Sequence, residues 1–280
     1  METGQKYMAQ TTNTVKKIIN LELSIQISLS GLSFCILQKK ENKVSFLKHV
    51  DFDKKLNPFE VLDNLKNCFD SEEELQQEFS AVNVIHTNEI STLVPKPLFK
   101  EDCLADYLKF NSKILKSDFI SFDDIKINDS VNIYVPYVNI NNYIYEKFGA
   151  FIYKHFSTIL IDNILLAEKK AETLKIYVHV DKGHFEILVL NKGKLTLYNT
   201  FEYSTKEDFI YYILFTCEQL QLNPETIDLI LLGNITKDDE FYNIAYKYVR
   251  HVTISDRPDN ITLEGSFTSN KSDYILLNSF

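Results

Sequence analysis

The chain has 280 residues and a net charge of −9, and 45% of its residues are hydrophobic and 25% charged, as in an ordinary folded protein with one large core or two linked ones. The only arginines are Arg250 and Arg257, whereas a nucleic-acid surface needs clustered basic residues, so we expect no nucleic-acid partner. The four cysteines are scattered without a C-x-x-C pair, which favours reduced thiols in the cytoplasm over disulfides or a zinc site.

Residues 1–20 read as a polar N-terminal tail. This segment lacks the apolar core and small-residue cleavage site of a secretory signal, so we predict a cytoplasmic location. The longest apolar run, 157–167, is too short to cross a bilayer and is interrupted by Asp162 and Asn163. We therefore expect no membrane insertion.

The first structured unit begins with a meander. Apolar and polar residues alternate over 23–29, which is the period of a half-buried strand. Further strands are predicted at 32–37 and 43–50. Pro58 then stands at the first position of a predicted helix with one apolar face, and a fourth strand is expected at 80–86.

The middle of the chain is harder to divide. In chain order, the patterns predict a helix at 101–110, a strand at 131–135, a helix at 140–148 and a longer helix at 155–170. Part of this stretch must complete the first unit. The remainder is expected to form an inserted subdomain near 96–140.

The second half repeats the order of the first. A meander is predicted from strands at 174–180, 185–190 and 194–200. Ser204 and Glu207 form a capping-box pattern before an apolar helix at 208–222. The remaining predicted elements are a buried strand at 228–233, a helix at 238–248 and a strand at 251–254.

The repetition extends to individual positions. Residues 23–37 lie over 174–188 without a gap, and the same spacing sets 43–46 on 194–197. Such self-similarity indicates an internal duplication of one β-rich unit. A helix and then a buried strand after each meander predict an α/β core with helices against mixed sheets. The expected organisation is a tail at 1–20, a first lobe at 21–170 and a second lobe at 171–280.

Two tandem β-β-β-α-β-α units resemble the plan of the actin-like ATPases, whose lobes have ribonuclease-H-like sheets and which include sugar kinases, Hsp70 and the pilus-assembly protein PilM. Several strings also resemble a family of Bacteroidetes proteins of unknown function with an actin-like fold. These strings begin at Leu23, Tyr107, Tyr134, His155 and Tyr198. The resemblance covers nearly the whole chain and implies three elements that contact a nucleotide.

The first implied element is the turn of the first hairpin, which in the superfamily carries an aspartate that holds the metal through water. Ser28, Ser30 and Gly31 stand here, so two hydroxyls and a glycine remain but the carboxylate is missing. These residues are candidate contacts of a phosphate. An ordinary Ser-Gly turn is the alternative interpretation.

The other two implied elements lie in the second unit. Asp181 and Gly183 supply the Asp-x-Gly of the second hairpin turn, where Asp181 would hold a magnesium ion through water. A plain hairpin turn explains the same residues equally well. Gly233 and Asn234 retain one glycine of the pair that lies along the adenine and ribose.

These residues predict a degenerate nucleotide site. The favoured function is a non-catalytic binding or scaffold protein with an unidentified protein partner and without efficient ATPase activity. The alternative is a conformational switch that binds ATP and magnesium weakly. On the predicted helix at 238–248, the spacing of Tyr242, Tyr246 and Val249 also suggests an aromatic stripe that contacts a partner.

Overall fold

A mixed sheet is built on the first meander. The computed structural model describes residues 20–255, 262–263 and 273–280. The strands of the first sheet are β1 (Leu21–Ile27), β2 (Gly31–Gln38), β3 (Lys43–Asp51), β4 (Ala81–His86), β8 (Ile152–His155) and β14 (Thr262–Leu263). Their order is β14-β3-β2-β1-β4-β8, with the meander antiparallel and the β1–β4, β4–β8 and β3–β14 pairs parallel.

A second mixed sheet repeats this order. Its strands are β9 (Leu174–Asp181), β10 (His184–Asn191), β11 (Lys194–Glu202), β12 (Asp228–Gly233) and β13 (His251–Ile254). They are arranged β11-β10-β9-β12-β13, which matches β3-β2-β1-β4-β8 strand for strand. The predicted α/β architecture with two related lobes is therefore confirmed.

A third, antiparallel sheet lies between β4 and β8 in the chain. It consists of β5 (Ser91–Pro95), β6 (Ser121–Ile125) and β7 (Ser130–Tyr134) in the order β5-β7-β6, with helix α2 (Leu104–Lys109) beside it. A small core of its own contains Val94, Leu108, Val131 and Ile133. This inserted sheet begins before residue 96, because β5 forms one of its edges.

Helices cover the outer faces of both large sheets. They are α1 (Pro58–Ser71) and α3 (Val138–Phe148) on the first sheet, and α5 (Lys206–Gln219) and α6 (Glu240–Tyr248) on the second. Asn57 caps α1 with a capping box, as expected for a helix that begins at Pro58. The capping box of α5 is formed by Thr205 and Asp208, one residue later than predicted.

A shared core joins the two large sheets. Helices α4 (Phe156–Ala167) and α7 (Tyr274–Leu277) lie between them, and their apolar residues pack with Leu37 of the first sheet and Leu188 of the second. The expected second lobe ran to residue 280. The last described strand and helix instead join the first sheet and this shared core.

The structure corrects the gapless match between the two meanders. In the third strands Val44 is equivalent to Leu195, as predicted. Each meander has a β-bulge at this point, after which Val44 pairs with Leu37 and Leu195 pairs with Leu190. The first two strands are offset by two further residues. Equivalent buried positions there are Leu23 with Ile176, Ile25 with Val178, Ile27 with Val180, Leu32 with Phe185 and Phe34 with Ile187.

The two-residue offset arises because the second turns of the two meanders differ in length. Residues 39–42 separate the paired ends of β2 and β3, whereas only Lys192 and Gly193 separate those of β10 and β11. A shift of two residues keeps every side chain on the same face of a strand, because the side-chain period of a strand is two. The apolar pattern therefore could not reveal it. None of the helices in the described part of the chain has the length and apolarity to span a bilayer.

Candidate functional site

One cavity of about 740 Å³ is lined by residues of both large sheets, and we call it the cleft. Both predicted turns reach it: Ser28 and Ser30 come from the β1–β2 turn, and Asp181 and Lys182 from the β9–β10 turn. The offset between the meanders makes Ser28 the equivalent of Asp181, because Ile27 is equivalent to Val180. A serine thus occupies the place in the first unit that an aspartate occupies in the second.

The first turn satisfies its own polar groups. The Ser28 hydroxyl donates to the carbonyl oxygen of Gly31 at 3.0 Å and lies 3.1 Å from the Ser30 hydroxyl. Gly31 is not among the residues that line the cleft. A Cβ atom there would lie 2.7 Å from the carbonyl oxygen of Val50, so the glycine permits close pairing of β2 with β3.

The second turn is also held locally. Asp181 accepts a hydrogen bond from the Lys182 backbone N–H at 2.7 Å, and the Tyr203 hydroxyl donates to the Asp181 carbonyl oxygen at 2.8 Å. Gly183 has a φ of +82°, which glycine adopts readily because it has no Cβ atom, and the side on which a Cβ would lie is open space. Gly183 does not itself line the cleft.

The third implied element lies away from the cleft. Gly233 has a φ of +88°, and a Cβ atom there would clash with the carbonyl oxygen of Val180. The same oxygen accepts a hydrogen bond from the Asn234 N–H at 2.7 Å. Gly233 and Asn234 therefore bring the end of β12 close to β9, and neither lines the cleft.

Loops and helix starts of the first unit form an apolar wall of the cleft that sequence reasoning missed. Its members include Phe52, Pro58, Phe59, Ile90, Phe119 and Val138. Phe52 lies between β3 and α1, Ile90 between β4 and β5, and Phe119 between α2 and β6, whereas Pro58 and Phe59 begin α1 and Val138 begins α3. A periodic pattern is absent in such segments, so no local signal could have assembled them.

Asp181 and a buried carboxylate, Glu186, line the cleft on the second unit, and we call these two residues the acidic floor. Glu186 is fully buried on β10, and one of its oxygens lies 2.8 Å from Nδ1 of His179. Burial alone would lower the pKa of His179, but the hydrogen bond and charge of Glu186 outweigh it and raise that pKa. His184 lies 3.4 Å from the other oxygen. Glu186 was missed, although a lone charged residue in the apolar strand 185–190 was the available signal.

One lysine bridges the two units at the cleft. Nζ of Lys55 lies 2.8 Å from a carboxylate oxygen of Glu89 and 3.9 Å from one of Glu202. All three side chains are exposed, so this contact orients the rim and adds little stability.

A polar cluster fastens the inserted sheet to the start of α4. Asp123 accepts hydrogen bonds from the His155 backbone N–H at 2.9 Å and from the hydroxyls of Thr158 and Tyr134 at 2.7 and 3.0 Å. Asn132 donates to the hydroxyl of Thr158 at 2.9 Å. Two of the strings that carried the resemblance begin at Tyr134 and His155. Their polar residues therefore have a structural role between the inserted sheet and the shared core.

The predicted stripe on α6 is only partly on the surface. The rings of Tyr242 and Tyr246 stack with centroids 6.0 Å apart, and Tyr246 is exposed. Val249 is buried in the core of the second sheet, so its inclusion was wrong. It follows the last turn of α6, where the chain turns inward to β13.

The two sheets and the cleft between them define an actin-like ATPase fold. A protein with this fold and unknown function from Bacteroides thetaiotaomicron VPI-5482 is 25% identical, with a TM-score of 0.77 over 92% of this chain and 95% of that one. By family, the chain belongs to the group described as "Protein of unknown function (DUF3822)", whose model matches residues 10–252.

More distant structures share the fold alone. The PilM-PilN type IV pilus biogenesis complex matches at 10% identity and a TM-score of 0.60, over 92% of this chain and 97% of that one. The ethanolamine utilization protein EutJ from Carboxydothermus hydrogenoformans matches at 9% identity and a TM-score of 0.51, over 95% and 92%. Among curated proteins, none matches the sequence. The predicted resemblance is thereby confirmed at the level of family and fold.

Proposed function

We propose that this chain is a non-catalytic binding protein of actin-like fold, whose cleft is a degenerate nucleotide site. The observation that carries the proposal is the pair of equivalent turn positions, Ser28 and Asp181, both of which line the cleft. The actin-like resemblance implies an acidic residue in each turn. Here only the second turn offers one.

The chemistry of phosphoryl transfer makes that difference matter. Catalysis of this reaction depends almost wholly on positioned charge, with magnesium held by hard, charged oxygens. Ser28 cannot supply a carboxylate, and its hydroxyl already donates to Gly31. The carboxylates of the cleft outnumber its lysines, so the cleft does not attract an anionic nucleotide electrostatically. These features support a binding role over turnover.

An ATP-binding conformational switch is the second candidate. Its support is the convergence of Ser28, Ser30 and Asp181 on one cavity of about 740 Å³, a volume typical of small-molecule sites. In this role Asp181 would hold magnesium through water, and bound ATP would draw the two units together.

Further elements of the proposal follow from the fold and the sequence. The shared strand order and the matched buried positions support an internal duplication. The cysteines Cys35, Cys68, Cys103 and Cys217 are all free thiols, which supports a cytoplasmic protein. The scarcity of basic clusters supports the absence of a nucleic-acid partner, and the similarity to a Bacteroides protein supports an origin in the Bacteroidetes.

Thermal-shift and calorimetric titrations with ATP, ADP and Mg²⁺ test the choice between the two candidates. A binding protein without nucleotide shows no shift at millimolar nucleotide, and hydrolysis stays far below about one turnover per second. A clear shift that disappears in Asp181→Ala would instead establish the switch. Asp238→Ala, the same substitution at an exposed position outside the cleft, is the matched control.

A further inference from the structure

We propose that the cleft binds an extended segment of a partner protein that carries a basic side chain next to an apolar one. The cationic group is directed to Asp181 and Glu186 on the second unit, and the apolar group to the wall around Phe59 and Phe119 on the first. This inference rests on the proposed binding function and specifies the chemistry of the partner at the same cleft.

The first step is an unpaired oxygen. Glu186 lines the cleft and its side chain is fully buried, with one oxygen bound to His179. Oε1 has no hydrogen-bond partner among the described residues, and the His184 ring nitrogen at 3.4 Å does not provide one. A buried carboxylate oxygen without a hydrogen bond is energetically unfavourable, so a donor from a bound partner would stabilise it. An arginine or lysine side chain entering past His184 supplies that donor and a compensating charge.

The second step is the exposure of the wall. Phe59 is 72% exposed and Phe119 is 55% exposed, although both rings line a concave surface. Large aromatic rings exposed within one cavity are typical of surfaces that bind another molecule. An apolar side chain of a partner would cover them and remove this area from water.

The third step is the charge of the cleft. Five carboxylates line it, against three lysines: Asp53, Glu89, Asp118, Asp181 and Glu186, with Lys54, Lys55 and Lys182. The whole chain carries −9. Both values favour the approach of a basic segment and oppose an acidic one. Arginine fits best, because its planar guanidinium can donate to two carboxylate oxygens at once.

The final step concerns the size of the ligand. The acidic floor belongs to β9 and β10, and the apolar wall belongs to loops and helix starts of the first unit. A small free amine reaches the floor only. A peptide segment with neighbouring basic and apolar side chains meets both surfaces at once.

Phage display of random heptapeptides on the immobilised full chain tests this inference. We expect selected peptides to combine arginine or lysine with a large apolar residue. The selected peptide should bind Glu186→Gln at least about ten-fold more weakly in fluorescence anisotropy, as for truncation of a buried charge pair. Glu225→Gln, the same chemical change outside the cleft, should bind it unchanged.

A change on the peptide side keeps the test valid even if Glu186→Gln folds poorly. Replacement of the basic residue by glutamine should weaken binding to the wild-type chain by the same factor, and the two changes together should add little further loss. Phe59→Ser should weaken binding through the apolar residue. Thermal unfolding of each variant controls for misfolding.

Three results would overturn the inference. Selected peptides without basic residues, or equal affinity for Glu186→Gln, would mean that the unpaired oxygen holds an ordered water only. Competition by arginine amide at the affinity of the peptide would indicate a small cation as ligand. The proposed function fails separately, through Mg²⁺-ATP binding or turnover, so the two failures are distinguishable.

Discussion

The two large sheets share one strand order but differ at their edges. In the first sheet, β14 pairs with the outer side of β3, whereas β11, its equivalent in the second sheet, is a terminal strand among the described residues. The inserted sheet separates β4 from β8 in the first unit, while α6 separates β12 from β13 in the second. One β-sheet framework therefore carries two different sets of connections, because loops tolerate change that cores do not.

Because of this difference, the two units contribute different surfaces to the cleft. The first unit supplies the apolar wall, with Phe59 at the start of α1 and Phe119 in a loop, and strands of the second unit supply the acidic floor with Asp181 and Glu186. The site is therefore asymmetric even though the sheets around it are related. Experiments on matched positions in the two units can show how far the relation extends.

The largest effect is expected from removing one aromatic core residue in each unit. Phe69 of α1 packs 5.4 Å from Phe148, and Phe209 of α5 packs 5.0 Å from Phe185, measured between ring centroids. Both are buried, so Phe69→Ala and Phe209→Ala should each lower the free energy of unfolding by about 3–5 kcal/mol. Urea titration followed by circular dichroism measures the change.

The number of unfolding transitions shows whether the two units unfold together. Because a shared core joins the sheets, we expect a single transition that both substitutions shift. Two transitions, each sensitive to only one substitution, would mean that the units unfold independently. Phe110→Ala is the control, since that ring is 91% exposed and its loss should change stability by less than about 0.5 kcal/mol.

A smaller effect separates two glycines of the second unit. Both have positive φ, which costs about 1–2 kcal/mol for a residue with a Cβ atom. Gly183→Ala meets open space and should cost only this amount, whereas Gly233→Ala also places its Cβ against the Val180 carbonyl oxygen and should cost more. Thermal unfolding measures both variants. Equal losses would show that the end of β12 can move away from β9.

The smallest change, in protonation, contrasts the buried histidines of the two units. Burial lowers the pKa of His86 to about 4 and that of His155 to about 3, so their NMR signals should not shift between about pH 5 and pH 8. His179 has a raised pKa and should titrate above its ordinary value of 6.5. In Glu186→Gln this pKa should fall. A wild-type His179 that titrates below 6.5 would contradict the ion pair with Glu186.

The two kinds of histidine have opposite effects on stability. The folded chain excludes protons from His86 and His155, so their contribution is present above the unfolded pKa of about 6.5 and is lost as pH falls towards the folded values. The contribution of His179 is present below about 6.5 and is lost as pH rises through its raised pKa. Denaturant titrations of wild type and Glu186→Gln at several pH values separate the two.

Local patterns predicted most of the elements. The alternation over 23–29 gave β1, and Asn57-Pro58 gave the start of α1, because these signals depend only on neighbouring residues. The repeated order of elements also led to the fold. The two-residue offset between the meanders escaped detection, because an alternating pattern looks the same after a shift of two.

The sequence by itself determined the order of strands and helices within the two repeated units, without β5, β6, β8, β14 and α7, and it determined the absence of a carboxylate at Ser28, since these are properties of short segments. Tertiary structure alone decided that Ser28 is the equivalent of Asp181, that Gly233 lies outside the cleft, and that the wall around Phe59 lines the same cavity as the buried Glu186. These facts depend on pairing and packing between residues far apart in the chain. No local pattern encodes such distances, because packing is set by the whole core at once.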